Sequence, residues 1–161
     1  MMSSGPASDA AHSLKCELAA DSLRSSGALR MQVMGWSMLP AVWPGDTLMV
    51  ERANLSTVSQ GEIVLFVRDG RLFAHRVVAN SRRDGGLQLV TKGDAMRSQD
   101  APISEAELLG KVSRIVRNGR SIEPSRSLRI SERVVAVLVR SSEAAARVIV
   151  GIRGMQQSWS H

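Results

Sequence analysis

Residues 62–79 read EIVLFVRDGRLFAHRVVA. Two apolar runs flank Asp69-Gly70, a pair that suits a two-residue hairpin turn because glycine adopts positive φ without a side-chain clash. The spacing predicts a strand over 62–67 and a returning strand over 71–79. On the second strand, Phe73, His75 and Val77 share one face, since side chains alternate along a strand. Most such histidines are core residues with satisfied hydrogen bonds. An imidazole is also the side chain best suited to move protons near neutral pH.

The same punctuation continues on both sides of the hairpin. Upstream, residues 29–34 form an apolar run that leads into Gly35-Trp36-Ser37-Met38-Leu39-Pro40, and Pro44-Gly45-Asp46 turns the chain into a strand over 47–51. A polar loop over 54–60 follows. Downstream, 81–86 read as a turn, 87–91 as a strand, 95–102 as a loop and 110–117 as a strand, with Asn118-Gly119 turning into 121–124. This rhythm of six or seven short strands between turns predicts a mainly β protein, a compact antiparallel domain. The length of 161 residues suits one domain with a substantial core.

The ends read differently. Residues 1–9 are small and polar and are expected to be disordered. Residues 10–25 form a short helix, with Leu14, Leu18, Ala19 and Leu23 at helical spacing. Between Ser131 and Gly151 there is neither Gly nor Pro, and Arg133, Arg140 and Arg147 fall on one stripe of a second helix, which is otherwise broadly apolar. The expected division is a tail over 1–9, a β domain with its N-terminal helix over 10–128, and an amphipathic C-terminal helix and tail over 129–161. The basic stripe suits either packing on the domain or peripheral contact with an anionic membrane through 131–153.

Composition limits the function. The net charge is +6, but the basic residues are scattered, and three Trp and two Phe with no Tyr provide no stacking platform. Nucleic acid is not an expected partner. A single cysteine, Cys16, excludes an internal disulfide and reads as a small apolar residue. No apolar run is long enough to span a bilayer, and the first 25 residues lack the apolar core of a secretory signal. A cytoplasmic protein is expected, one that can associate peripherally with the inner membrane face.

Ser37 lies in a loop bounded by Gly and Pro at the end of an apolar strand, where a hydroxyl can meet a carbonyl. Gly35 lets the backbone approach a substrate, and the Ser37 amide can face a developing oxyanion. A serine needs a base. Of the three histidines, His12 and His161 lie near the ends, which leaves His75. Asp94, in Thr91-Lys92-Gly93-Asp94-Ala95, or Asp100 can hold the imidazole tautomer. No cluster of His and Cys suggests a metal, and no cofactor is expected.

Together these boxes resemble the signal peptidase I superfamily, which includes the LexA-type self-cleaving repressors. The likeness covers residues 31–116. It comprises Ser37-Met38-x-Pro40, Pro44-Gly45-Asp46, Gly61-Glu62-Ile63-Val64, His75-Arg76-Val77-Val78, Thr91-Lys92-Gly93-Asp94 and Gly110-Lys111-Val112, in that order. The resemblance implies a serine endopeptidase that cleaves a leader or signal-like segment. Its substrate would be an extended peptide with small residues before the cut, added as a strand. Histidine at position 75 resembles the endoplasmic-reticulum and archaeal branch, in which an acidic residue after the Gly-Asp box completes the site. By position that residue is Asp100, with Asp94 in support. Gly35, Trp36, Met38 and Pro40 are the expected oxyanion and substrate-binding positions.

The sequence departs from the signal peptidase pattern in three places. Gly35 replaces a serine, as in the LexA-type pattern, Ala95 replaces an asparagine, and no N-terminal anchor is expected from the sequence. The alternative functions are a non-catalytic peptide-binding module, a self-cleaving regulator, and a maturation protease dedicated to one small peptide.

Overall fold

The computed structural model describes residues 6–83, 86–128 and 134–137. A helix, α1 (Pro6–Ser26), precedes seven strands: β1 (Ala28–Gln32), β2 (Thr47–Arg52), β3 (Ile63–Arg68), β4 (Arg71–Arg83), β5 (Gly86–Lys92), β6 (Leu108–Arg117) and β7 (Arg120–Ile122). All pair antiparallel in one sheet with the order β1-β2-β6-β3-β4-β5, and β7 pairs with β6. The expected mainly β architecture with a short N-terminal helix is what forms.

The turn chemistry fixes the hairpins. Asp69 and Gly70 have φ of 49° and 67°, and Asn118 and Gly119 have φ of 50° and 72°. Positive φ at both central positions matches the right-handed twist of the flanking strands. The first turn sets the β3–β4 register, which pairs Val64 with His75 and Ile63 with Arg76. Alternation then divides the apolar side chains between two clusters. Val64, Phe66, Val77, Leu89 and Ile103 form one, and Ile63, Leu65, Leu48, Val50 and Val112 form the other.

Two departures from the expected elements have physical causes. Residues 6–9 of the tail expected to be disordered belong to the helix. The fixed φ of Pro6 is compatible with a helix. The strand β4 runs on to Arg83, through the turn expected at 81–86. Its polar end stays extended because Ser81 pairs with Gln88 and Arg82 with Leu87, so pairing overrides local propensity.

The buried face of α1 also differs from expectation. Cys16, Ala19 and Leu23 face inward, while Leu14 and Leu18 are exposed. Cys16 Sγ donates to the Gly70 carbonyl at 3.2 Å, which docks the helix on the hairpin tip. Burial, reinforced by Glu17, pushes the Cys16 thiol up and keeps it protonated.

Most of the C-terminal helix expected over 131–151 lies outside the described residues. Residues 134–137 are helical, with Val135 packed on Leu39 and Ala95 and with Ala136 buried. Among the described residues no helix is long and apolar enough to cross a membrane.

Candidate active site

The loop carrying Ser37 is closed at its base and clamped from the side. Val33 N–H donates to the Asp46 carbonyl, and Gly45 N–H to the Val33 carbonyl, each at 2.8 Å. The Asp46 carboxylate accepts from the Trp43 amide at 2.8 Å and from both Nε and Nη2 of Arg117, a β6 residue. The same guanidinium reaches the Ala41 carbonyl at 3.0 Å. Within the loop, Leu39–Pro40 is a cis peptide, and Trp43 Nε1 donates to the Pro40 carbonyl at 2.7 Å. Because Asp46 and Arg117 are far apart in sequence, this clamp was not legible before folding.

Ser37 is half-buried, and its Oγ lies 3.1 Å from His75 Nε2. The other imidazole nitrogen, Nδ1, lies 2.7 Å from Asp100 Oδ2. An ionised carboxylate can only accept, so Nδ1 carries the proton and Nε2 is left to accept from the serine hydroxyl. His75 is buried, and the Phe66 and Phe73 rings flank it with centroids 5.9 Å away. Burial alone would raise the Asp100 carboxyl. Hydrogen bonds from His75 and Thr91, with the positive charge of Arg68, outweigh burial and hold it below the ordinary carboxylate value.

Strand alternation decides which aspartate the imidazole meets. His75 and Arg76 are adjacent on β4, so they project to opposite faces. Arg76 takes Asp94 through a fork, Nε to Oδ1 at 2.8 Å and Nη2 to Oδ2 at 2.7 Å, and Nη1 reaches the carbonyls of Gly61 and Ser125. Asp94 therefore supports the box through Arg76 rather than by orienting His75. Both side chains of this pair are buried. Arg76→Met leaves the Asp94 carboxylate inside without its guanidinium, and about 3–5 kcal/mol of stability should be lost. Urea unfolding measures this, and Arg76→Met combined with Asp94→Leu should recover part of the loss.

Gly93 joins the two loops. A Cβ there would lie 2.7 Å from the Ser37 carbonyl and 3.2 Å from His75 Nε2, so only glycine lets the strands approach this closely. Ala95 N–H donates to the Ser37 carbonyl at 2.9 Å. Further along, Arg68 secures the segment after Asp100, donating to the Ala101 and Pro102 carbonyls and to Glu107.

The four expected substrate-facing positions divide into two pairs. Gly35 is exposed with open space where a Cβ would stand, and Trp36 is partly exposed. Met38 belongs to the core and Pro40 is buried, so neither presents its side chain at the surface. Both shape the loop from within. A cleft of about 760 Å³ lies beside the site, lined by Gln60, Arg76, Val78, Lys92, Gly93 and Val137 among others, and Ser37, His75 and Asp100 are not among its lining residues. Among the described residues, no group of His, Cys, Asp and Glu is arranged to hold a metal ion.

The family profile described as Peptidase S24-like matches residues 3–113. No curated protein matches the chain.

Proposed function

The chain belongs to the Peptidase S24-like family, and from that premise we propose that Ser37, His75 and Asp100 are the catalytic set of a serine endopeptidase. The observation that carries the reading is the chain of contacts from Ser37 Oγ to His75 Nε2 at 3.1 Å and from His75 Nδ1 to Asp100 Oδ2 at 2.7 Å. Serine peptidases and LexA-like self-cleaving proteins are the functions the family supports.

In the proposed reaction, Ser37 Oγ attacks a peptide carbonyl while His75 Nε2 takes its proton. The Asp100 carboxylate stabilises the imidazolium that forms. The Ser37 amide makes no backbone hydrogen bond among the described residues and is free to hold the oxyanion. His75 then returns the proton to the leaving amine. Water, deprotonated by the same nitrogen, frees the acyl group.

Histidine at position 75 supports reading this chain with the Ser/His signal peptidases. The substrate is then an extended segment with small residues before the cut, paired as an added strand. Exposed Gly35 and Trp36 border its path.

Two incubations test the reading. In the first, the purified chain is kept at neutral pH and its intact mass followed over days. In the second, a quenched-fluorescence peptide with alanine at the first and third positions before the cut is added. Cleavage of the peptide with the chain's own mass unchanged is the expected result. Loss of mass from the chain alone would assign the site to self-cleavage, and neither reaction would overturn the peptidase reading.

A further inference from the structure

Thr91 is fully buried on β5, where it pairs with Val77 of β4. Its hydroxyl donates to Asp100 Oδ2 at 2.7 Å. That is the same oxygen that His75 Nδ1 meets. The Thr91 carbonyl accepts from the Asp100 amide at 2.8 Å, so one residue grips the aspartate by both its backbone and its side chain. Two positions back, Leu89 and Ile103 exchange both backbone hydrogen bonds, at 3.1 and 2.8 Å. The loop bearing Asp100 is therefore laid along the edge of β5 and pinned at two points.

A bulge in β4 sets this alignment. Pairing shifts between Val77 and Ala79, leaving Val78 as the extra residue, and Gln60 Nε2 satisfies the Val78 carbonyl at 2.8 Å. As Val77's partner, Thr91 shares the face of His75. A buried hydroxyl needs a partner, and here the partner is the carboxylate that fixes the imidazole.

We propose that Thr91 is a positioning residue: its hydroxyl locks the Asp100 carboxylate in the orientation that keeps the His75 proton on Nδ1 and leaves Nε2 bare for Ser37. The proposal rests on the serine-peptidase reading for its consequence in catalysis, but its structural content can be measured without any substrate. With the hydroxyl gone, the carboxylate has one donor fewer and can rotate away from the ring. The imidazole then shifts toward the tautomer with the proton on Nε2, which cannot accept from serine.

The experiment combines two readouts on the wild type, Thr91→Val and Thr91→Ser. The first is the nitrogen-15 NMR signature of the His75 ring at a pH where it is neutral, which reports the tautomer ratio. The second is the rate of labelling by a fluorophosphonate, in which Ser37 Oγ bonds to phosphorus, fluoride leaves and the serine proton passes to Nε2.

Thr91→Val is expected to raise the share of the Nε2-protonated tautomer and to slow labelling about tenfold, the effect of losing one modest charge-assisted hydrogen bond. Thr91→Ser is expected to restore both. An unchanged tautomer ratio in Thr91→Val overturns the proposal, as does Thr91→Ser behaving like Thr91→Val, which would assign the effect to the methyl group. If Thr91→Val does not fold, the wild type decides: a Thr91 hydroxyl proton that exchanges slowly and shifts the Asp100 carboxyl carbon on deuteration supports the lock, and absence of that shift overturns it. Ser37→Ala serves as the blank. Equal labelling of Ser37→Ala and wild type defeats the peptidase reading alone, because the tautomer ratio still judges Thr91.

Discussion

Ser37→Ala is expected to lower peptide cleavage by a factor on the order of 10⁶, to the level left by binding and backbone hydrogen bonding alone. In the proposed reaction the hydroxyl oxygen is the atom that bonds to the carbonyl carbon. His75→Ala should cost about as much, since a serine without its base is a poor nucleophile. Residues that act as one unit are not additive, so the double variant should be scarcely worse than either single one. Steady-state cleavage of the quenched peptide, measured on all three, checks this. Thermal unfolding of Ser37→Ala should be close to wild type, because among the described residues the half-buried side chain hydrogen-bonds only to His75. Retention of cleavage in Ser37→Ala would remove the nucleophile assignment.

Asp100→Asn should reduce kcat/KM by about 10⁴ while leaving the fold intact, the magnitude known for the corresponding change in a serine triad. A neutral amide cannot stabilise the imidazolium, and its NH₂ group can draw the ring into the wrong tautomer. Asp94→Asn should act differently: its partner is Arg76, so stability falls more than the chemical step. Comparing the two variants by kcat/KM and by urea unfolding separates the roles.

The pH dependence follows from the depressed Asp100 carboxyl. A carboxylate whose folded pKa lies below its unfolded one contributes stability that is fully present above the unfolded value of about 3.9. That contribution is lost as pH falls through the folded value. The stability gap between wild type and Asp100→Asn should therefore be constant at neutral pH and close at strongly acid pH. Above that range Asp100 stays ionised, so the acid limb of the activity profile should follow a single proton.

Much of the architecture was legible because turns and alternation are local. Asp69-Gly70 and Asn118-Gly119 announce their hairpins through the one conformation that they tolerate well. The pairing of Ser37 with His75 was legible by elimination among the histidines. The family resemblance pointed to Asp100 by position, but the residues alone left both aspartates open, because both follow Gly93 within a short loop. Only the opposite orientation of His75 and Arg76, together with the path of the loop along β5, assigns each aspartate to its cation. Met38 follows exposed Gly35 and Trp36 by only two or three residues, and nothing local marks it as core. The helix misled for a related reason. Two stripes overlap on α1, and the approach of the hairpin tip selects the smaller one, Cys16 and Ala19, over Leu14 and Leu18. The Arg117–Asp46 clamp and the Thr91 hydroxyl depend on contacts that exist only after strands distant in sequence have met.

The bend at Asp69-Gly70 lies outside the site, a few residues before His75, yet it sets the phase of everything beyond it. If the returning strand slid by one residue against its partner, the side chain of position 76 would point where that of 75 now points. A guanidinium would then confront the serine, and the imidazole would be turned toward an acid that has no nucleophile behind it. The proposed reactivity thus depends on counting: two residues in a bend decide whether a proton acceptor or a permanent cation faces the hydroxyl.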